Sequence, residues 1–295
     1  MDNQAQLEWN PFNIVHWPRI VSRSSEYDGG ERLSFGFDLG AIDENDKKLV
    51  LKQWCTLLAS APKKLLWLKI WSHTTQPLFD AACLNEHLEC LVIKWGNIKK
   101  LDAIKNLKNL KYLYIGSATK IESIESLTEL TQLKYLHIEN FKLITDFTPF
   151  SKMRSLESLS ITGSMWSFQK IDSLEFLSKM TWLQSLAIDT RNIQSLRPLS
   201  NLKNLKDLHL GGRLPVEEYA RLSVQLPNTY CHWFTPYLDL ADSGIGLCKK
   251  CKKQTMVMLT GGKGVKTVCR SCNAEKLKNH EAIFNAIKND ELARQ

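Results

Sequence analysis

Two Cys-x-x-Cys pairs stand near the C-terminus: Cys248-Lys-Lys-Cys251 and, after 17 intervening residues, Cys269-Arg-Ser-Cys272. Thiolates are soft ligands, and two such knuckles about 15–20 residues apart have the spacing of a tetrahedral four-cysteine zinc site. A tail of about 50 residues buries too little apolar surface to fold alone, so a structural Zn(2+) ion is expected to supply the missing free energy. Lysines inside and beside the first knuckle favour the thiolate form that a metal needs. Between the pairs, 255–259 and 265–268 flank Gly261-Gly262-Lys263-Gly264 and predict a β-hairpin. Residues 274–288 predict a helix.

No other constellation reads as catalytic. The glycine-rich GGKGVKT lacks the contiguous Gly-Lys-Ser/Thr of a phosphate-binding loop, and no Gly-x-Ser-x-Gly elbow occurs. Cys55, Cys83, Cys90 and Cys231 lie singly in apolar surroundings and read as reduced core thiols. The chain is expected to be a binding protein and not an enzyme.

The elements that must carry this tail are repetitive. The pattern Leu-x-x-Leu-x-Ile starts at Leu65, Leu88, Leu110, Leu133, Leu156 and Leu183, and as Leu-x-x-Leu-x-Leu at Leu205. Successive starts are 23, 22, 23, 23, 27 and 22 residues apart. Alternating apolar positions predict a short strand with one buried face. The stretch that follows each, as in Ile98, Leu101, Ile104 and Leu107, has the spacing of a tight 3₁₀ or short α turn. One unit cannot bury its leucines alone, whereas stacked units share a continuous core.

In these residues the chain resembles the leucine-rich repeat family, the 22-residue class, over 65–234. The resemblance implies an α/β solenoid, a horseshoe with a parallel concave sheet and short helical turns on its convex side. One departure is plain: the ninth positions, where the family places Asn, hold Gly96, Ala118, Phe141, Ser164 and Arg191. The 27-residue unit carries its extra residues around 165–173, which predicts a bulging loop. The tail resembles a zinc ribbon or treble-clef finger. Its CRSCNAEK also resembles a knuckle of HNH nucleases, but 252–268 holds no His, Asp or Glu to activate water.

Three domains follow. Residues 1–64 form an N-terminal cap, with strands at 13–21 and 32–38 and an amphipathic helix at 46–59 that sets Leu49, Leu51, Trp54, Leu57 and Leu58 on one side. Residues 65–240 form the solenoid, closed by a helix at 215–225 and a strand at 228–234, with 236–246 as the linker out of it. Residues 241–295 form the zinc-binding module.

Solenoid strands turn their third, fifth and seventh residues outward. Across the first repeats these include Trp67, Lys69, Trp71, Lys94, Tyr112, Tyr114, Tyr135 and His137, an aromatic and basic face. Clustered Trp and Tyr at such positions are what protein interfaces use as anchors. The competing reading is that the N-terminal segment, which carries Trp9, Phe12, Trp17, Phe35 and Phe37, folds over Trp67 and Trp71 as part of the cap.

Of 295 residues 43% are apolar and 24% charged, which excludes bulk disorder. No run approaches the ~18 apolar residues of a membrane span, and the N-terminus has no basic-then-apolar leader. A soluble, cytoplasmic protein is expected. Net charge is +8, of which 240–295, with eleven Lys/Arg against five acids, carries +6. The leading functional expectation is a non-enzymatic interaction module that grips an acidic, partly apolar protein surface through the concave face. Inhibitors, such as toxin-neutralising immunity proteins, and adaptors both fit it. The alternative is a nucleic-acid-binding protein that uses the basic zinc module.

Overall fold

The computed structural model describes residues 17–38, 40, 42–164, 166–190, 192–211, 213–262 and 266–294. The chain divides into two compact units, Met1–Ile171 and Asp172–Gln295.

The first unit holds β1 (Arg32–Phe35), β2 (Trp67–Thr75), β3 (Cys90–Asn97), β4 (Tyr112–Ile115), β5 (Tyr135–Glu139) and β6 (Ser158–Thr162). Each pairs in parallel with the next, and the register sets Leu68, Leu91, Leu113, Leu136 and Leu159 in one row. Ile70, Ile93, Ile115, Ile138 and Ile161 form a second row, and both rows are buried. A slip of one residue would turn both rows to the other face, so repeat length and burial lock the register together. The second unit holds β7 (Ser185–Ile188) and β8 (Asp207–Leu210), with Leu186 on Leu208 and Ile188 on Leu210. Within each unit the repeat strands follow chain order. This is the α/β solenoid of leucine-rich repeats that the spacing predicts.

The return segments are 3₁₀ turns at Asp102–Asn106, Glu125–Glu129 and Thr148–Lys152 in the first unit, which bury Ile104, Leu127 and Phe150. Glu175–Lys179 and Arg197–Leu199 do the same in the second. Asn at the ninth position is replaced by two devices. Main-chain bonds run on past the strands, as from Gly96 N to Gly116 O (2.8 Å) and from Asn140 N to Thr162 O (2.8 Å). In the 27-residue unit the buried Gln169 amide donates to the carbonyls of Phe141, Ile144 and Lys170 at 3.1, 2.8 and 3.0 Å.

In the N-terminal cap, α1 (Lys47–Ala59) buries Val50, Trp54 and Leu58, and Trp54 stacks on Phe35 with centroids 4.0 Å apart. Its apolar side is narrower than predicted, since Leu49 is 55% exposed. The expected strand at 13–21 is one bridge from Val21 to Phe35, and 13–16 lie outside the described residues. A short helix, α2 (Gln76–Ala82), opens on Pro77 directly after β2.

In the second unit α3 (Val216–Gln225) forms as expected, whereas the strand at 228–234 shrinks to a bridge between Tyr230 and Asp207. The stretch read as a linker contains β9 (Tyr237–Asp239). It pairs antiparallel with β10 (Met256–Leu259), which pairs antiparallel with β11 (Thr267–Cys269). Pro236 and the glycines beyond hide three strand-compatible residues, Tyr237, Leu238 and Leu240, whose burial depends on this distant hairpin. Val265 lies outside the described residues. The predicted helix extends four residues further, as α4 (Ala274–Leu292). Val257, Leu259, Val268 and Leu277 make the module's core, with Tyr237 against it. The hairpin tip meets the cap: Gly262 N donates to Leu214 O (2.7 Å), and a Cβ on Gly261 would lie 2.5 Å from Val216 N.

Candidate functional site

Two features of the fold concentrate chemistry. The first is the outward face of β2–β5. Trp67 and Tyr112 lie two strands apart, yet their ring centroids are 5.4 Å apart, because both rings lean over the small Cys90 side chain between them. Cys90 is fully buried as a result, and burial pushes its thiol far above the ordinary range. Tyr112 stacks on Tyr135 at 4.9 Å and 19°. At the other end of this row Trp17 packs edge-on against Trp67 at 6.1 Å.

The fifth-position row is more enclosed. The Lys69 ammonium sits 5.3 Å from the Trp17 ring and 4.4 Å from the Trp71 ring, a cation–π arrangement, and its burial lowers its pKa. Tyr114 is only 8% exposed, packed with Cys90 and Val92. Its hydroxyl donates to Glu139 Oε2 (2.7 Å), whose other oxygen takes the Ser117 hydroxyl (3.0 Å). Gly116 makes room for this: a Cβ there would lie 2.5 Å from Lys94 O and 2.6 Å from Tyr114 Oη. His137 meets the Tyr114 ring edge-on at 4.7 Å and its Nε2 lies 3.1 Å from Thr162 Oγ1. Burial, then the charge of Lys94, lowers its pKa to about 4. The Lys94 ammonium lies 5.9 Å from the Tyr114 ring.

The eight face residues named from the sequence thus share one side of one sheet and divide into layers. Tyr112, Tyr135, Trp71, Lys94 and His137 are half-buried, Tyr114 is a support, and Trp67 and Lys69 lie against Trp17. Trp166 was not among them. It is 89% exposed on a turn closed by Ser164 and Ser167, whose hydroxyls are 2.9 Å apart. The signal was the 27-residue spacing, although Met165 beside it lies outside the described residues.

The second feature is the cysteine cluster. The Sγ atoms of Cys248, Cys251, Cys269 and Cys272 all lie within 4.8 Å of one another. Cys248–Cys272 is 4.0 Å and Cys251–Cys269 is 3.6 Å, far beyond a disulfide bond. Metal–sulfur bonds of about 2.3 Å in a tetrahedron set sulfur–sulfur edges near 3.8 Å, so the donor set fits a zinc-sized ion. The Thr255 hydroxyl, 3.2 Å from the Cys269 sulfur, leads the effects that hold that thiol down at about 6. Cys272, with the Cys269 sulfur beside it, is pushed up to about 12. Four sulfurs this close cannot all ionise without a cation among them.

No family model matches the chain, and no curated protein does. Solved leucine-rich repeat structures do. Internalin C2 of Listeria monocytogenes is 21% identical, with 57% of this chain and 70% of that one covered and a TM-score of 0.45. Internalin InlF of the same organism is 23% identical over 56% of this chain and 53% of its own, at 0.42. A structure titled PEPR1-AtPEP1 is 13% identical over 57% of this chain and 28% of its own, at 0.36. Among the described residues, no helix is long and apolar enough to cross a membrane.

Proposed function

We propose that this chain is a non-enzymatic interaction module that binds a protein partner through the outward face of β2–β5. The observation that carries the reading is the Tyr112–Tyr135 stack, two half-buried rings held rigid on adjacent strands. Such rings present large amphipathic area at small entropic cost, which is why interface hot spots favour them. Trp71 and Lys94 edge the patch, and the basic residues suit an acidic, partly apolar partner surface. Tyr114 and Glu139 act from below by fixing the sheet surface.

In this reading the cysteine cluster holds a structural Zn(2+) ion through Cys248, Cys251, Cys269 and Cys272, and the ion's role is to close the tail. Among the described residues none of the eight cysteines forms a disulfide, which supports a reducing, cytoplasmic setting. Inhibitor and adaptor both remain within the proposal.

The test is quantitative affinity capture with the wild type, with Tyr112→Ala/Tyr135→Ala, and with Lys105→Ala on a 3₁₀ turn. A specific partner lost with the tyrosine pair and kept with Lys105→Ala supports the reading. Equal recovery from all three sinks it.

A further inference from the structure

The charge on the cysteine module is distributed in a way that metal binding does not explain. Lys249, Lys250, Lys252 and Lys253 occupy four of five consecutive positions and are all exposed. Among the described residues none of the four takes part in an ion pair, whereas the repeat lysines do: Lys111 with Glu89 and Lys134 with Glu157, each at 2.8 Å. The neighbouring cation Arg270 is also engaged, 2.7 Å from Asp239 and over the Tyr237 ring.

A divalent metal on four thiolates carries a formal −2. Set against the +6 of 240–295, that still leaves the module at +4.

The loop that carries them is shaped before any ligand arrives. Leu247 and Gln254 form an antiparallel bridge, Cys248 N donates to Lys253 O (2.9 Å) and Lys252 N to Cys248 O (2.9 Å). Lys252 holds a left-handed φ of +56°, a conformation a lysine adopts only where the surroundings require it. Leading into the loop, Ile245 and Leu247 are 65% and 51% exposed.

We propose that this first knuckle binds the sugar–phosphate backbone of single-stranded nucleic acid, with Lys249, Lys250, Lys252 and Lys253 on phosphates and Ile245 and Leu247 against unstacked bases. Phosphates in a line match a narrow basic loop on a rigid frame. A flat anionic membrane suits it less, because the lysines are concentrated on one short loop while α4, with Glu275, Glu281, Asp290 and Glu291 against Lys276, Lys278 and Lys288, is close to neutral. Duplex hides the base surface that the two aliphatics would touch.

The experiment is fluorescence anisotropy of full-length, zinc-loaded protein with a labelled oligouridylate of ~20 nucleotides, long enough to span a four-phosphate site. Four phosphate contacts predict a ~50-fold loss of affinity between 50 mM and 200 mM salt. Replacing the four lysines by Gln should abolish most of that salt dependence and weaken low-salt binding at least ~30-fold, with zinc content unchanged. The wild-type salt slope stands by itself should the quadruple variant misfold. No binding, a flat salt slope, or an unaltered folded variant overturns the proposal. So does a same-length duplex binding more tightly than the single strand, or binding confined to phosphatidylserine vesicles.

Discussion

Tyr112 and Tyr135 lie on directly paired positions of β4 and β5, with ring centroids 4.9 Å apart and planes within 19°. Their backbones are a strand spacing apart, so parallel pairing alone places the rings at stacking distance. Tyr112 lies between Trp67 and Tyr135 in one row, both tyrosines are half-buried, and the row forms a preformed aromatic platform.

Truncating both rings, Tyr112→Ala/Tyr135→Ala, should weaken partner binding by ~2 kcal/mol or more, mostly through faster dissociation. The stack itself is worth about 0.5–1.5 kcal/mol to the fold. Surface plasmon resonance and urea unfolding on the same preparations separate the two effects. A stability loss larger than the affinity loss would assign the rings to the fold and remove them from the interface.

Gly116→Ala tests the support layer. Its new Cβ would press on Lys94 O and the Tyr114 hydroxyl, so overpacking should cost about 1–3 kcal/mol in denaturant unfolding. For scale, Leu113→Ala, which empties a fully buried site, should cost about 2–5 kcal/mol. A neutral Gly116→Ala would mean that Tyr114 is free to leave Glu139.

Elemental analysis of protein purified without chelator should find about one zinc per chain, bound through Cys248, Cys251, Cys269 and Cys272. Cys269→Ser removes the sulfur held at about 6 and should release the metal and unfold β9–β11. Circular dichroism should retain the repeat signal. Metal-free protein with an ordered tail contradicts this.

His137 predicts a pH effect of definite sign. Its pKa falls from an ordinary 6.5 to about 4 because burial and Lys94 disfavour the imidazolium. Above pH 6.5 it is neutral in both folded and unfolded chains. Between 6.5 and 4 only the unfolded chain takes up the proton, so stability declines across that window. His137→Gln should flatten the wild-type decline in urea unfolding between pH 7.5 and 4.5, and an unchanged slope would assign it to other groups.

Much of this molecule is legible in the order of its residues. Leucines at a 22–23-residue period dictate the parallel strands, because only stacking buries them, and the inward rows from Leu68 to Leu159 follow from a side-chain period of two. The two Cys-x-x-Cys pairs announce their cluster because thiolate spacing is a local property. What folding in three dimensions decided is which outward residues are covered. Tyr112 and Tyr114 read identically in sequence, yet Tyr114 lies buried because Gly116, just past its own strand, and Glu139, on the next, leave it a slot. Trp67 meets Trp17 across 50 residues of chain, and β9 becomes a strand only because β10 supplies its partner. Local pattern specifies which face a side chain takes, whereas its exposure depends on non-local neighbours that no periodicity encodes.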